Sequence, residues 1–171
     1  MANRRIRGFT LFELMLTLGL AAVLMGLAAP SVTQFMRSSR LSGASRDLVM
    51  DLALARDEAV MRARRVTLCT SANLTTCSNT SWSLGRLIFV DGGTIGTIDG
   101  TDVVLVRTPV LSDMLSTSAT GIANVNRISF PANGRVAGIG RINVCAPGQR
   151  QRRIDISRSG QATLNRTNTA C

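Results

Sequence analysis

Glu13 is the residue whose position most asks for a chemical explanation. It is the one charge in the run from Phe9 to Val32, FTLFELMLTLGLAAVLMGLAAPSV. A carboxylate in such a run costs roughly 2.5–3.5 kcal/mol at the centre of a membrane helix and less near its end, and groups kept at that cost mark function. Other reactive chemistry is thinly supplied. The sequence contains no His, which removes His-based acid/base pairs and His metal ligands. Ser, Thr and Asp are plentiful, but no motif places a base beside a nucleophile, so neither catalysis nor a cofactor is expected. Cys69, Cys77, Cys145 and Cys171 have seven intervening residues in the first pair and twenty-five in the last. Those gaps are unlike the close Cys-x-x-Cys pairs of a zinc site. In an exported domain they point to two disulfides. Asp91, Asp99 and Asp102 occupy a Gly-rich stretch without the ligand spacing or terminal Glu of an EF-hand, and turn chemistry accounts for them.

Charge is the second informative feature. The formal net charge is +10, and every basic residue is Arg. Such a balance favours anionic partners. From Arg127 to Cys171 the basic residues Arg127, Arg135, Arg141, Arg150, Arg152, Arg153, Arg158 and Arg166 face a single acid, Asp155. The last seven of these are candidate DNA or anion contacts. No aromatic side chain interleaves the later ones, so any nucleic-acid binding would run through phosphate and weaken with salt.

These groups must be positioned by a chain whose 171 residues suit one folded domain plus one special segment. MANRRIRG, residues 1–8, is short and basic. The uncharged stretch Leu14–Met36 is long enough to span a bilayer, and Pro30 within it is expected to kink or loosen a helix. Arg4, Arg5 and Arg7 place the leader in the cytoplasm by the positive-inside rule. Beyond Arg37, Leu41, Ser45, Leu48, Leu52, Ala55 and Ala59 alternate at spacings of four and three, forming one apolar stripe. Arg40, Arg46, Asp47, Asp51, Arg56 and Glu58 lie off it. One helix over about residues 10–64 is therefore predicted, followed by strands at Val66–Cys69, Leu84–Val90, Val103–Arg107, Arg127–Phe130, Arg135–Val136, Arg141–Cys145, Ile154–Ile156 and Ala162–Leu164. The segment 111–126 is expected to be a long loop.

Gly8-Phe9-Thr10-Leu11-Phe12-Glu13 resembles the class III signal of type IV pilins and pseudopilins, G-[FM]-[ST]-L-x-E. A wider resemblance to the GspH/FimT/FimU group of minor pilins and pseudopilins rests on LARDEAVMRARRVTLC (54–69), Trp82 with LGRLIFVD to Asp91, DGTDVVLVR (99–107), FPANGR (130–135) and INVC (142–145). In that group the middle motif usually carries a second aromatic where this chain has Arg86, a departure expected to matter little to the fold. The resemblance implies an α+β, pilin-like fold: a cleaved leader (1–8), a transmembrane and filament-core helix (9–36), the amphipathic half of the same helix (37–64), and a β-rich periplasmic or extracellular head (65–171). It implies prepilin-peptidase cleavage between Gly8 and Phe9, N-methylation of Phe9, and Glu13 pairing with a neighbouring subunit's terminal amine. The chain would wait in the inner membrane as a single-pass protein and then enter a filament with other pilins, as a low-copy subunit of a pilus initiation or tip complex.

Two alternatives stand beside that reading. One is a type II secretion pseudopilin. The other is a DNA-binding FimT-like pilin, although Ser159-Gly160-Gln161-Ala162-Thr163 lacks both arginines of the group's Gly-Arg-x-Arg motif. Cys69–Cys77 and Cys145–Cys171 are the expected disulfides, with other pairings open.

Overall fold

The computed structural model describes residues 8–110 and 114–171, with the side chains of 27–30 left aside. The leader arginines and the Pro30 side chain thus lie outside the described residues. Helix α1 runs Leu11–Met61. Thr10 starts it: the Thr10 Oγ1 accepts a hydrogen bond from the Glu13 N–H at 3.3 Å. Thr10-x-x-Glu13 is the pattern of a capping box, so the signal sequence also carries the chemistry of a helix start. The helix ends slightly earlier than expected. Ala63 adopts a left-handed conformation with φ 50°, and the Arg64 N–H turns back to the Ala59 carbonyl at 3.2 Å.

Two compact units are present, residues 1–36 and 37–171. In the first, the large apolar side chains from Phe9 to Met36 whose placement is described are 49–79% exposed. No single helix among the described residues is long and apolar enough to cross a membrane. Leu11–Gly26 and Ser31–Met61 meet the length and composition of a span only when taken as a pair.

The second unit is the head, and it holds both buried clusters of side chains. The predicted stripe is its spine: Leu41, Ser45, Leu48, Leu52, Ala55 and Ala59 are all buried. Eight strands follow: β1 Val66–Thr70, β2 Arg86–Val90, β3 Val103–Thr108, β4 Ser116–Thr120, β5 Arg127–Phe130, β6 Gly140–Cys145, β7 Arg150–Ile156 and β8 Ala162–Ala170. They form two antiparallel sheets, ordered β3-β2-β1-β5 and β4-β6-β7-β8. Val66, Leu68, Ile88, Ile128 and Phe130 of the first sheet meet Ile142, Val144, Ile154 and Ile156 of the second over the helix stripe. On the opposite face of the first sheet, Cys69, Leu87 and Phe89 form a smaller cluster with Leu74, Ile98 and Val104. This is why β1 and β2 are buried at every position rather than at alternate ones.

The segment expected to be a loop at 111–126 contains β4, an edge strand paired with β6. Its sequence, Ser-Thr-Ser-Ala-Thr, has too few large apolar residues to signal a strand; the pairing comes from the neighbouring edge. Arg135–Val136 is not a strand. It follows a turn in which the Gly134 N–H bonds the Pro131 carbonyl at 2.8 Å. The last two strands extend well beyond their predicted cores, since β7 begins at Arg150 and β8 reaches Ala170.

Candidate functional site

Two disulfides form as expected. Cys69 of β1 is bonded to Cys77, and Cys145 at the end of β6 to Cys171. The first holds the loop covering the smaller cluster, and the second ties the end of β8 back to its sheet. Loops of these lengths contribute roughly 2–4 kcal/mol each in the chain-entropy account.

The acidic loop is built as its composition predicts. The Asp91 Oδ2 accepts hydrogen bonds from the Thr67 hydroxyl at 2.6 Å and the Gly96 N–H at 2.8 Å. Asp99 accepts from Thr94, and Asp102 from Gly92 and Asp99. Asp99 and Asp102 are thus occupied by backbone amides of their own turn, while Asp91 also reaches Thr67 of β1 and has the Arg65 Nη1 3.7 Å from its Oδ1.

The expected fold forms with Arg86 in place, but the residue has a structural role that was not foreseen. It is fully buried at the start of β2, with its Nε 2.6 Å from the Asp51 Oδ2 and its Nη1 donating to the Trp82 carbonyl at 2.9 Å. Asp51, expected off the buried stripe, is buried as well and accepts a further bond from the Thr108 hydroxyl at 3.3 Å. The departure from an aromatic therefore installs an ion pair between α1 and the first sheet. A signal was available: Asp51 lies three residues after Leu48 and four before Ala55, so it borders the apolar face, and Arg86 opens an apolar strand. Each charge made sense only with the other.

The run of arginines, contiguous in sequence, is divided by the fold into separate groups. Arg141 of β6 and Arg153 of β7 share Asp155, with their Nε atoms 3.1 and 3.0 Å from its two oxygens. Partial burial works to raise the Asp155 pKa. Hydrogen bonds from Arg141, Asn165 and Arg153, with the charge of Arg153, outweigh it and hold the carboxyl below its ordinary value. A folded-state pKa below the unfolded one gives stability that is present near neutrality and lost as pH falls through the folded pKa. Asp155→Asn is expected to lower the melting temperature at pH 7, and the gap from the parent to close below about pH 4. Thermal melts across an acid series check this.

Arg135 and Arg158 lie on adjoining segments, joined by the Val136 N–H to the Arg158 carbonyl at 3.2 Å. The turn carrying Arg158 ends in Gly160, with φ 79°, where a Cβ would stand 2.2 Å from the Gly134 carbonyl; only glycine fits. The Arg56 Nε donates to the Ser159 carbonyl at 3.0 Å and fastens this turn to α1. Arg150, Arg152 and Arg166 occupy the opposite end of the second sheet. Arg152 is 7% exposed, and its Nη2 donates to the Ser42 hydroxyl at 3.1 Å. Arg127, at the start of β5 in the first sheet, donates to the Gly96 carbonyl at 3.4 Å.

Comparison with known proteins locates this architecture. The family model described as type II transport protein GspH matches residues 44–160, and that of the prokaryotic N-terminal methylation motif matches residues 3–29. Among solved structures, the type IV minor pilin FimU of Pseudomonas aeruginosa is 20% identical, with a TM-score of 0.62 over 80% of this chain and 99% of that one. The minor pseudopilin EpsH from the type 2 secretion system of Vibrio cholerae is 10% identical, with a TM-score of 0.54 over 77% of this chain and 99% of that one. At these identities the likeness concerns the fold. No curated protein sequence matches the chain significantly.

Proposed function

The chain belongs to the family of the type II transport protein GspH, a group of minor pilins and pseudopilins, and from that premise we propose that it is a low-copy filament subunit acting in the initiation or tip complex of a type IV pilus. The observation that carries the reading is the helix before Arg37. Its large apolar side chains are exposed, and a surface of that kind demands lipid or other helices as its surroundings. The same helix offers both states: storage in the inner membrane, then parallel packing with other pilins.

In this reading a prepilin peptidase cuts after Gly8 and Phe9 is N-methylated, leaving the amine next to the helix start. Glu13, at the third helical position, pairs with the terminal amine of a neighbour. Two unpaired charges in an apolar medium are costly, and bringing them together offsets much of that cost. The head then presents its outer surfaces to tip partners. Assignment to a type II secretion pseudopilus is the close alternative, since the family is described by a type II transport protein and the similar solved structures come from both filaments.

Gly8→Val is expected to abolish processing. The variant accumulates with its leader, migrates more slowly than the parent, and is missing from sheared filaments. N-terminal mass measurement and immunoblotting of the filament fraction check it. Normal cleavage of the variant would remove the assignment of the scissile bond.

DNA capture is a second reading. It is favoured by Arg135, Arg158 and Arg56 gathered around the Gly160 turn, the place where the resemblance locates a DNA motif. It is opposed by Gln161 and Thr163 at the motif's arginine positions.

A further inference from the structure

Strand β5 forms one edge of the first sheet, and part of its backbone faces away from β1. The Thr70 N–H bonds the Asn126 carbonyl at 2.9 Å. Antiparallel pairs alternate between bonded and non-bonded. With Leu68 opposite Ile128 and Val66 opposite Phe130, residues 126, 128 and 130 therefore bond β1, while Arg127 and Ser129 turn their peptide groups outward. The Arg127 N–H is taken up by the Asn124 carbonyl at 3.3 Å. The Ser129 N–H and carbonyl meet no backbone partner among the described residues. Pro131, which has no N–H, closes the far end of the open stretch.

The two faces of this edge have different surroundings. A cavity of about 400 Å³ lies between β5 and the segment 136–140, with Ile122, Ile128, Val136 and Ile156 in its walls. A smaller polar one of about 190 Å³ takes in Ser78, Asn79, Thr97 and Asn126, and Cys69, which stands opposite Arg127 on β1. Asn124 and Arg127 border both, so the two spaces adjoin along the strand. An extended chain sends successive side chains to opposite faces. Laid along β5, it would place one side chain in the apolar cavity and the next in the polar one.

Arg127 sets the character of the polar side. Its side chain lies over the Gly96 peptide, where a Cβ would stand 2.4 Å from the Arg127 Cδ. The guanidinium enters no ion pair among the described residues, and neither space is lined by an acid. A carboxylate opposite Arg127 would complete a cross-strand pair of opposite charge.

We propose that the free edge of β5 takes a short extended segment of another filament subunit by strand addition, with an apolar side chain entering the cavity beside Ile128 and a neighbouring carboxylate reaching Arg127. Main-chain bonds to Ser129 hold the segment, and the spaces on either side select its sequence. The proposal rests on the filament-subunit reading for the class of partner.

The test uses the full chain in detergent micelles. A displayed library of random octapeptides is selected on it after subtraction on the Ser129→Pro chain, which loses the outward N–H and none of the bonds to β1. Enriched peptides should alternate apolar and polar residues, with an acid next to an apolar one. For a synthetic peptide of that consensus, Ser129→Pro should weaken binding about tenfold, the net worth of roughly one good hydrogen bond. That variant also gives up the Ser129 hydroxyl contact to Thr67 at 2.7 Å, so Ser129→Ala is its control and should bind as the parent does. Arg127→Gln should weaken binding about tenfold as well, and should change nothing for a peptide whose acid is replaced by its amide. In the parent, bound peptide should slow hydrogen exchange at the Ser129 amide, a readout that depends on no variant folding. Enrichment of nothing, a helical spacing of the apolar residues, or acidic peptides without alternation overturns the proposal, as does unaltered exchange at Ser129. Cleavage at Gly8 and filament recovery are scored separately, so failure here removes this site and leaves the subunit assignment standing.

Discussion

Asp51→Ala is expected to destabilise the head by about 3–5 kcal/mol, because it strands a buried guanidinium. Arg86 is fully buried, and its Nη2 already lacks a hydrogen-bond partner among the described residues. Its Nε would then lose the 2.6 Å contact to Asp51 and leave the charge held by the Trp82 carbonyl alone. Arg86→Met should cost less. The Asp51 side chain retains 12% exposure and the Thr108 hydroxyl, so the carboxylate left behind has water and a donor. The double variant Asp51→Ala with Arg86→Met should be more stable than Asp51→Ala alone, since no charge remains buried. Urea unfolding of the parent, both single variants and the double variant gives the coupling directly. Additive losses would mean that the pair is a bystander to packing.

Glu13→Ala should leave the chain in the membrane yet reduce its recovery in filaments by at least about tenfold, equivalent to ~1.4 kcal/mol of lost assembly energy. Membrane insertion itself should improve slightly, because a charge has been removed from an apolar segment. The structure supplies a sharper variant. Glu13 also sits at the position where a capping box takes either Glu or Gln, three residues after the Thr10 that bonds its N–H. Glu13→Gln keeps the capping capacity and removes the charge. If pairing with a neighbouring amine is the role, Gln fails as Ala does. If the residue serves only to start the helix, Gln restores incorporation. Quantitative immunoblots of membrane and sheared-filament fractions separate the two.

The sequence was most legible where a single physical signal dominated. The stripe from Leu41 to Ala59 fixed the buried face of α1 because helical periodicity needs only local spacing. Val66–Cys69, Leu84–Val90 and Arg127–Phe130 were visible as apolar runs bounded by turns. The N-terminal motif named both the helix start and the class of protein. What escaped were features made by pairing across distance. The strand β4 is recruited by β6 despite its Ser- and Thr-rich sequence. Arg86 and Asp51 are 35 residues apart and justify one another only after α1 packs on the first sheet. The basic run looked like one surface because it is continuous in the chain. Alternation along β6 and β7 and the shared Asp155 divided it into groups that the sequence order conceals.

The ion pair between α1 and β2 also has an evolutionary consequence. A chain holding both charges cannot give up Asp51 alone without a large loss and gives up Arg86 at a smaller one, whereas one holding neither is free of the requirement. The two positions should therefore change together as lineages diverge. Relatives with an aromatic at the place of Arg86 are expected to carry a neutral residue at the place of Asp51. Passage between the two solutions should run through loss of Arg86 first, since the carboxylate left behind keeps water and the Thr108 hydroxyl.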